Sequence, residues 1–337
     1  MAPDPVQDIV RLIRGHDLIL PGSTVLVAVS AGPDSTALLH ILARLRPILA
    51  CSLVCAHINH GLRPNEAQQE AESVRRLAGL LAVPFFRFQV DTAAYMHKHG
   101  LSLEHAARDL RYARLRSCAR EQGAALIAVG HTADDQAEEV LHRLLRGSGR
   151  KGIGGMALKN RDIIRPLLQT SKKQLLDYLD RHEIPFCRDS SNDDTRFLRN
   201  RIRHVLLPLL ERDFDSGIRR SLCKSAENLQ EDEDFLEQNL DRLWPDLIRA
   251  DGEEYRLNRE YLASLHPCLR RRAVERLLHA LGAKARYAHI LAVLDGAARG
   301  RAGSELHLGQ GLRVTIAKNE LIFSYPRGRG AFRGRLG

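Results

Sequence analysis

The sequence predicts an α/β protein, with a mainly parallel, doubly wound sheet followed by a smaller α-helical domain. Three observations carry this prediction. Short apolar runs alternate with longer amphipathic ones from residue 24 to 165. A glycine-rich break at 147–155 then interrupts that rhythm. From Thr195 to about Leu294 strand-like runs vanish and charged helical periodicity takes over.

Residues 24–29 form a continuous run rich in β-branched side chains, the pattern of a strand buried on both faces. A helix over 35–45, a strand over 52–57, a helix over 66–81, a strand over 85–90 and a helix over 103–122 follow. A strand over 125–129 and a helix over 134–145 complete the alternation that signals a parallel sheet. The break at 147–155 reads as a long flexible loop, after which come a short strand over 163–166 and a helix over 171–182. The domain reading is 1–214, then a helical domain over 215–300, a short hairpin-like segment over 301–325, and a basic Gly/Arg tail over 326–337. Disorder is the default for such a tail.

The 337 residues exceed the usual size of one hydrophobic core, in keeping with more than one domain. A net charge of +10 favours a polyanionic partner, nucleic acid foremost, although surface charge for solubility gives the same composition. The first twenty residues carry no secretory signal pattern, and no apolar run approaches the roughly 20 residues needed to cross a bilayer. The six cysteines form no CxxC pair and read as reduced thiols. The expectation is a cytoplasmic protein without a membrane partner.

The first strand ends in Ser30-Ala31-Gly32-Pro33-Asp34-Ser35 and leads into a helix. Small residues let the backbone wrap an anion, and N–H groups at the helix start point at it with the helix dipole behind them. Ser30 and Ser35 add hydroxyls. No GK[ST] follows, which excludes a Walker A loop, and no G-x-G-x-x-G is present. The plain alternative is a serine-rich turn capped by Asp34 or Ser35.

This hexapeptide resembles the SGGxDS loop of the ATP pyrophosphatases (PP-loop, adenine nucleotide α-hydrolase-like proteins), with Ala31 standing where that pattern has glycine. Alanine tolerates positive φ poorly. Further segments resemble one family in that group, the tRNA(Ile)-lysidine synthases: His57-Ile58-Asn59-His60-Gly61-Leu62-Arg63, the stretch from Leu103 through Glu104, Arg108 and Arg111 to Tyr112, Gly130-His131-Thr132-Ala133-Asp134-Asp135-Gln136-Ala137-Glu138, and Asp189-Ser190-Ser191-Asn192-Asp193 with Arg199-Asn200-Arg201-Ile202-Arg203. These motifs and the loop span residues 24 to about 210.

The resemblance implies an ATP-binding catalytic domain over 1–214 and a tRNA-binding helical domain after it. Ser30, Ala31, Gly32, Pro33, Asp34, Ser35, His57, His60, Gly61 and Gly130 would cradle ATP. Asp34, Arg111, His131, Asp134, Asp135 and Glu138 would do the chemistry, with Asp34, Asp134 and Asp135 the candidates for magnesium. Glu104, Arg108, Arg111, Asn192, Arg199, Asn200 and Arg203 would hold substrate. Each has a plainer reading: Glu104 and Arg108 as an i,i+4 ion pair, Asp134 or Asp135 as an N-cap, His131 as a structural histidine, the arginines as a solvated face.

The implied reaction uses ATP and Mg²⁺ to adenylate the wobble cytidine of isoleucine tRNA with a CAU anticodon. The amine of free L-lysine then displaces AMP at carbon 2. The loop at 147–155, with Arg150 and Lys151, is expected to close over the anticodon base, and the helical stretch over 257–294 is a candidate homodimer surface. tRNA thiolation is a rival disfavoured by the lack of cysteine pairs, and amidotransferase-linked ligases lack their glutaminase segment here. An ATP-gated RNA-binding protein without chemistry is the non-catalytic alternative, opposed by the carboxylates Asp34, Asp134, Asp135 and Glu138.

Overall fold

The computed structural model describes residues 4–61, 64–187 and 198–325, leaving aside the side chains of 64–67 and 310. The order begins α1 (Val6–Gly15), β1 (Thr24–Ala28), α2 (Pro33–Leu49), β2 (Ser52–Asn59), α3 (Pro64–Leu80), β3 (Phe85–Gln89), α4 (Thr92–His99), α5 (Leu103–Glu121), β4 (Leu126–Ala128) and α6 (Ala133–Leu145). Then come α7 (Arg150–Ile153), β5 (Lys159–Asn160), β6 (Ile163–Ile164), α8 (Lys172–Arg181), α9 (Leu198–Arg201), a π-turn at Ile202–Leu206, α10 (Leu207–Asp213) and α11 (Ile218–Leu247). The contacts divide the chain into two compact units, Met1–Gln230 and Glu231–Gly337.

In the first unit six strands form one sheet in the order β3-β2-β1-β4-β6-β5, parallel throughout except for the antiparallel β5. Alternation along β1 explains its continuous apolar run. Val25 and Val27 pack with Leu38, Leu42 and Leu175 on one face, and Leu26 packs with Ala56, Leu115 and Ile127 on the other. Each such burial contributes about 1.5–3 kcal/mol, enough to fix β1 at mid-sheet. The chain leaves β1 toward β2 on one side and reaches β4 on the other, so the loops after β1 and β4 face each other where the strand order reverses. Open α/β sheets bind ligands at that crevice.

Helices α2 and α8 are clamped on the β1 side of the sheet. The buried Tyr178 hydroxyl lies 2.7 Å from His40 Nδ1, Arg44 Nη1 donates to the same hydroxyl at 3.4 Å, and Arg44 Nη1 lies 3.0 Å from His182 Nε2. Arginine only donates, so Tyr178 gives its proton to His40, whose Nδ1 accepts it. Burial, His182 and Arg44 together hold His40 down to about 4. The clamp fixes the N-terminus of α8 near the N-terminus of α2.

The break at 147–155 is a correction to the expected flexible loop. It holds the helical turn α7, and three side chains pin it. Arg143 Nη1 donates to the Gly152 and Gly155 carbonyls at 2.8 and 3.0 Å. The Gln136 amide pairs with Met156, its Oε1 accepting the N–H at 2.8 Å and its Nε2 donating to the carbonyl at 3.1 Å. Gln230 Nε2 donates to the carbonyls of Gly154 and, at 2.9 Å, Met156.

The region from 215 to 300 is mostly helical but also carries strands. In the second unit β7 (Ile248–Asp251), β8 (Glu254–Asn258), α12 (Arg259–Ser264), α13 (Pro267–Ala280), α14 (Tyr287–Arg299), β9 (Glu305–His307), β10 (Arg313–Ile316) and β11 (Glu320–Ser324) follow one another. The strands form one antiparallel sheet in the order β7-β8-β11-β10-β9, so the expected pair over 301–325 is three strands of five. Leu257, Val314, Ile316, Leu321 and Phe323 from the strands pack with Val274, Leu277 and Val293 from the helices. The tail over 326–337 lies outside the described residues. Among the described residues no helix is long and apolar enough to cross a membrane.

Candidate active site

The loop after β1 is braced from within. Ser35 Oγ accepts the Ser30 N–H at 3.0 Å, donates to the Gly32 carbonyl at 3.1 Å and lies 3.2 Å from Ser30 Oγ. Ser35 therefore holds the loop's shape, while Ser30 is the exposed hydroxyl. Pro33 opens α2 and has no N–H to leave unpaired, and the Thr36 N–H bonds to Gly32 O at 3.0 Å. The N–H groups of Asp34 and Ser35 are left without intrahelical acceptors at the positive end of α2. Ala31 does adopt the left-handed region, at φ +67°, with its methyl buried in the core. Its carbonyl accepts the Cys187 N–H at 2.9 Å and the Thr36 hydroxyl at 3.3 Å, and these bonds hold the residue there.

Gly130 closes the crevice from β4. A Cβ at this position would stand 3.0 Å from the Ser35 nitrogen and 3.1 Å from Ser35 Cα. The missing side chain is what lets β4's loop touch the backbone of the phosphate loop.

Asp34 sits at this contact. Its Oδ1 is buried without a partner among the described residues, and Lys172 Nζ lies 3.8 Å from its Oδ2. Burial pushes the carboxyl up to about 6, Lys172 pulls it back, and Asp135 and Asp134 push it further. Lys172 was not singled out from the sequence. Its signal is positional, because a lysine in the first turn of a helix opposes the helix dipole unless an anion stands nearby.

Asp134 and Asp135 begin α6 in defined roles. Asp135 Oδ2 accepts the Thr132 N–H at 2.9 Å in a reciprocal capping box, and Asp135 Oδ1 accepts from Arg203 at 3.1 Å. Asp134 Oδ2 accepts the Lys172 N–H at 2.7 Å, and its Oδ1 lies 3.2 Å from Arg219 Nη1. One turn on, the buried Glu138 receives Arg203 bidentately, at 2.6 and 2.8 Å, with Arg199 at 3.5 Å. Arg203 and Glu138 thus satisfy each other. Among the described residues no group of three or more His, Cys, Asp and Glu side chains is arranged to hold a metal. Asp34 Oδ1, unpaired and buried, is the carboxylate oxygen that fits a magnesium ion, which commonly takes one or two carboxylates plus phosphate oxygens.

His131 Nδ1 accepts from Arg165 Nε at 3.3 Å, and Arg165 Nη1 donates to the Ala157 carbonyl at 2.7 Å. Burial lowers His131 to about 4 against the pull of Asp135, with Arg165, Arg111 and Arg199 adding to the lowering. Arg165 also escaped the sequence reading as a site residue, being one cation after the apolar pair Ile163-Ile164.

Arg111 is half-buried, and its guanidinium carbon stands 5.1 Å from the Tyr112 ring centroid, with that of Arg108 at 5.2 Å. Glu104 and Arg108 are exposed and do not form the expected ion pair. His57 Nδ1 donates to the Val29 carbonyl at 2.9 Å, leaving Nε2 buried without a partner among the described residues. Burial lowers the pKa of His60, and Arg111 and His57 lower it further. Gly61 turns at φ +71°, its N–H held by Asn59 Oδ1 at 2.8 Å. Arg199 and Asn200 lie on α9, whereas Asn192, its Asp189–Asp194 surroundings and Arg63 lie outside the described residues.

The parallel sheet, the lysine-free loop after β1 and the carboxylates facing it define a PP-loop nucleotide-binding domain. The PP-loop domain family model matches residues 7–210. Curated relatives named tRNA(Ile)-lysidine synthase include that of Gloeobacter violaceus, 37% identical over 84% of this chain and 86% of that protein. The relative from Symbiobacterium thermophilum is 36% identical over 97% of this chain and 71% of its own length. The chain belongs to the PP-loop domain family and, within it, to the tRNA(Ile)-lysidine synthases. It spans about three-fifths of the length of several other curated relatives, such as that of Caldanaerobacter subterraneus subsp. tengcongensis, at 31% identity and 58% of the protein. Among solved structures, the U34-tRNA thiolase NcsA from Methanococcus maripaludis aligns with a TM-score of 0.55 at 16% identity, over 67% of this chain and 78% of that one, a likeness of fold.

Proposed function

We propose that this chain ligates L-lysine to carbon 2 of the wobble cytidine in isoleucine tRNA with a CAU anticodon, converting ATP to AMP and pyrophosphate. The observation that carries the reading is the crevice between the loops after β1 and β4, which holds the open N–H groups of Asp34 and Ser35 and a buried carboxylate oxygen of Asp34 that has no partner among the described residues. The N–H groups and Lys172 bind and orient the triphosphate, and Ser35 keeps the loop in the shape that does so. Asp34 holds the magnesium ion, which when bound offsets charge on the phosphates. His131 and Arg111 face the site from β4's loop and from α5, and donate toward charge that develops as the cytidine oxygen displaces pyrophosphate.

Asp134, Asp135, Glu138 and Arg203 support this site by fixing the start of α6 to α8 and to the π-turn. Glu104, Arg108, Arg199, Asn200 and Asn192 remain the proposed RNA or lysine contacts, with the second unit adding tRNA contacts through α13, its one net basic helix among the described residues. Such a substrate places the protein in the cytoplasm. The test is incubation of a purified isoleucine tRNA transcript with ATP, magnesium and lysine. The expected result is a lysine-dependent mass gain on the tRNA that Asp34→Ala abolishes, and a wild-type protein giving no gain would refute the reading.

A further inference from the structure

Arg165 is an unusual cation. It is 5% exposed, yet among the described residues it reaches no carboxylate within ion-pair distance; its bonds go to the Ala157 carbonyl and to His131 Nδ1. Burying a guanidinium on neutral acceptors carries a desolvation cost that a hydrophobic side chain would not incur. Burial lowers its pKa, Arg108 and Arg143 add to the lowering, and Tyr112 and Glu139 act against it from beyond ion-pair distance. Something other than stability selects arginine at the end of β6.

The bond to His131 indicates what. Arginine has donors and no acceptor, so the imidazole nitrogen facing it carries a lone pair and the ring proton sits on the other nitrogen. We infer that Arg165 is a positioning residue that locks His131 as the neutral Nε2–H tautomer, making His131 a fixed hydrogen-bond donor rather than a proton carrier. The groups around the ring agree. Burial disfavours a charged ring, and among the described residues Asp135 favours it while Arg165, Arg111 and Arg199 oppose it. An enzyme that leaves pyrophosphate and an activated base needs donors aimed at developing negative charge, and a pre-oriented neutral donor serves without a proton changing hands. The kinetic side of this inference rests on the ligase reading above; the tautomer itself does not.

The full-length protein, labelled with ¹⁵N-histidine, allows the tautomer to be read directly, the His131 signals being assigned by their loss in His131→Gln. The expected wild-type spectrum at neutral pH shows His131 protonated on Nε2 alone. In Arg165→Met that preference is expected to relax into a mixture, and Arg165→Lys, which keeps a donor, is expected to restore it. Wild-type His131 protonated on Nδ1, or a spectrum unchanged in Arg165→Met, overturns the inference. Should Arg165→Met fail to fold, tRNA-dependent pyrophosphate release decides. His131→Ala is expected to lose about 100-fold in kcat, the typical effect of removing one oriented donor. His131→Gln, whose amide N–H stands near the Nε2 position but cannot shuttle a proton, is expected to be at least about tenfold faster than the alanine variant; equal loss in both overturns the donor role. An Nε2–H signal in a protein that ligates no lysine leaves the tautomer standing and removes only the ligase reading.

Discussion

Arg203 donates to both carboxylate oxygens of Glu138, at 2.6 and 2.8 Å, and to Asp135 Oδ1 at 3.1 Å. With Glu138 only 1% exposed, this is a buried ion pair in which each partner answers the other's charge. Removing Arg203 leaves the buried Glu138 with only Arg199, at 3.5 Å, among the described residues, at a cost of up to about 3–5 kcal/mol. Arg203→Met is expected to lower urea stability by that amount. The double variant Arg203→Met with Glu138→Leu is expected to recover a large part of the loss, a coupling that a double-mutant cycle in urea measures.

Gly130 makes a second, sharper expectation. Its hydrogen leaves the Ser35 backbone within reach, and a methyl would meet that nitrogen at 3.0 Å. Backbone cannot yield as a flexible side chain does, so Gly130→Ala pushes the two loops apart at the nucleotide crevice. Calorimetric titration with a non-hydrolysable ATP analogue is expected to show at least about tenfold weaker binding, while stability falls by only about 1–3 kcal/mol.

The clamp between α2 and α8 makes stability sensitive to acid. His40 is held neutral in the fold, down to about 4, by burial, His182 and Arg44, while Tyr178 donates to it and Asp4 acts on Arg44 and Tyr178. A histidine with a lowered folded pKa contributes full stability above its unfolded value near 6.5, and that contribution is lost as pH falls from there toward 4. His40→Asn keeps an acceptor for Tyr178 without a titrating ring. Denaturant midpoints of the two proteins are expected to be similar at pH 7.5 and to diverge in favour of the variant between pH 6 and 4.5.

Ala31 sits at φ +67°, where alanine is strained by about 1–2 kcal/mol. Glycine would relieve that strain, but it also raises the freedom of the unfolded chain by about 0.5–1 kcal/mol and forfeits a buried methyl worth about 0.8 kcal/mol. These terms nearly cancel, so Ala31→Gly is expected to alter stability by less than about 1 kcal/mol. Ala31→Val, with a β-branched side chain at the same φ, is expected to destabilise by more than about 2 kcal/mol in thermal melts.

The parallel sheet was legible because β1 and β2 are buried on both faces, which leaves nearly unbroken apolar runs in the chain. The phosphate loop was legible because its small residues have few other uses after such a strand. The break at 147–155 was misread for a physical reason. Glycine reports backbone freedom, whereas the order there comes from Arg143, Gln136 and Gln230, the last 74 and 76 positions along the chain from the carbonyls it binds. Strands β7 and β8 were missed because their side chains are largely exposed or half-buried, although Asp251-Gly252 is a hairpin signal and Gly252 does turn at φ +62°. The pairing of Arg203 with Glu138 was invisible for another reason, since an arginine cluster reads the same whether its partners are phosphates or distant carboxylates.

The π-turn at Ile202–Leu206 contains one more residue than an α-helical turn, the Leu207 N–H reaching the carbonyl of Ile202 five positions back. That extra residue sets the angular phase between two ends of one helical rod. Arg199 before the turn and Arg203 at its start aim at Glu138; downstream, Leu207 and Leu210 pack against Ala137 and Leu141 of the same helix α6. An α-helix advances about 100° per residue. Deleting a single residue within the turn would therefore leave composition, charge and helicity almost unchanged while swinging either the guanidinium or the leucines off α6, so the length of this segment matters as much as the identity of Arg203.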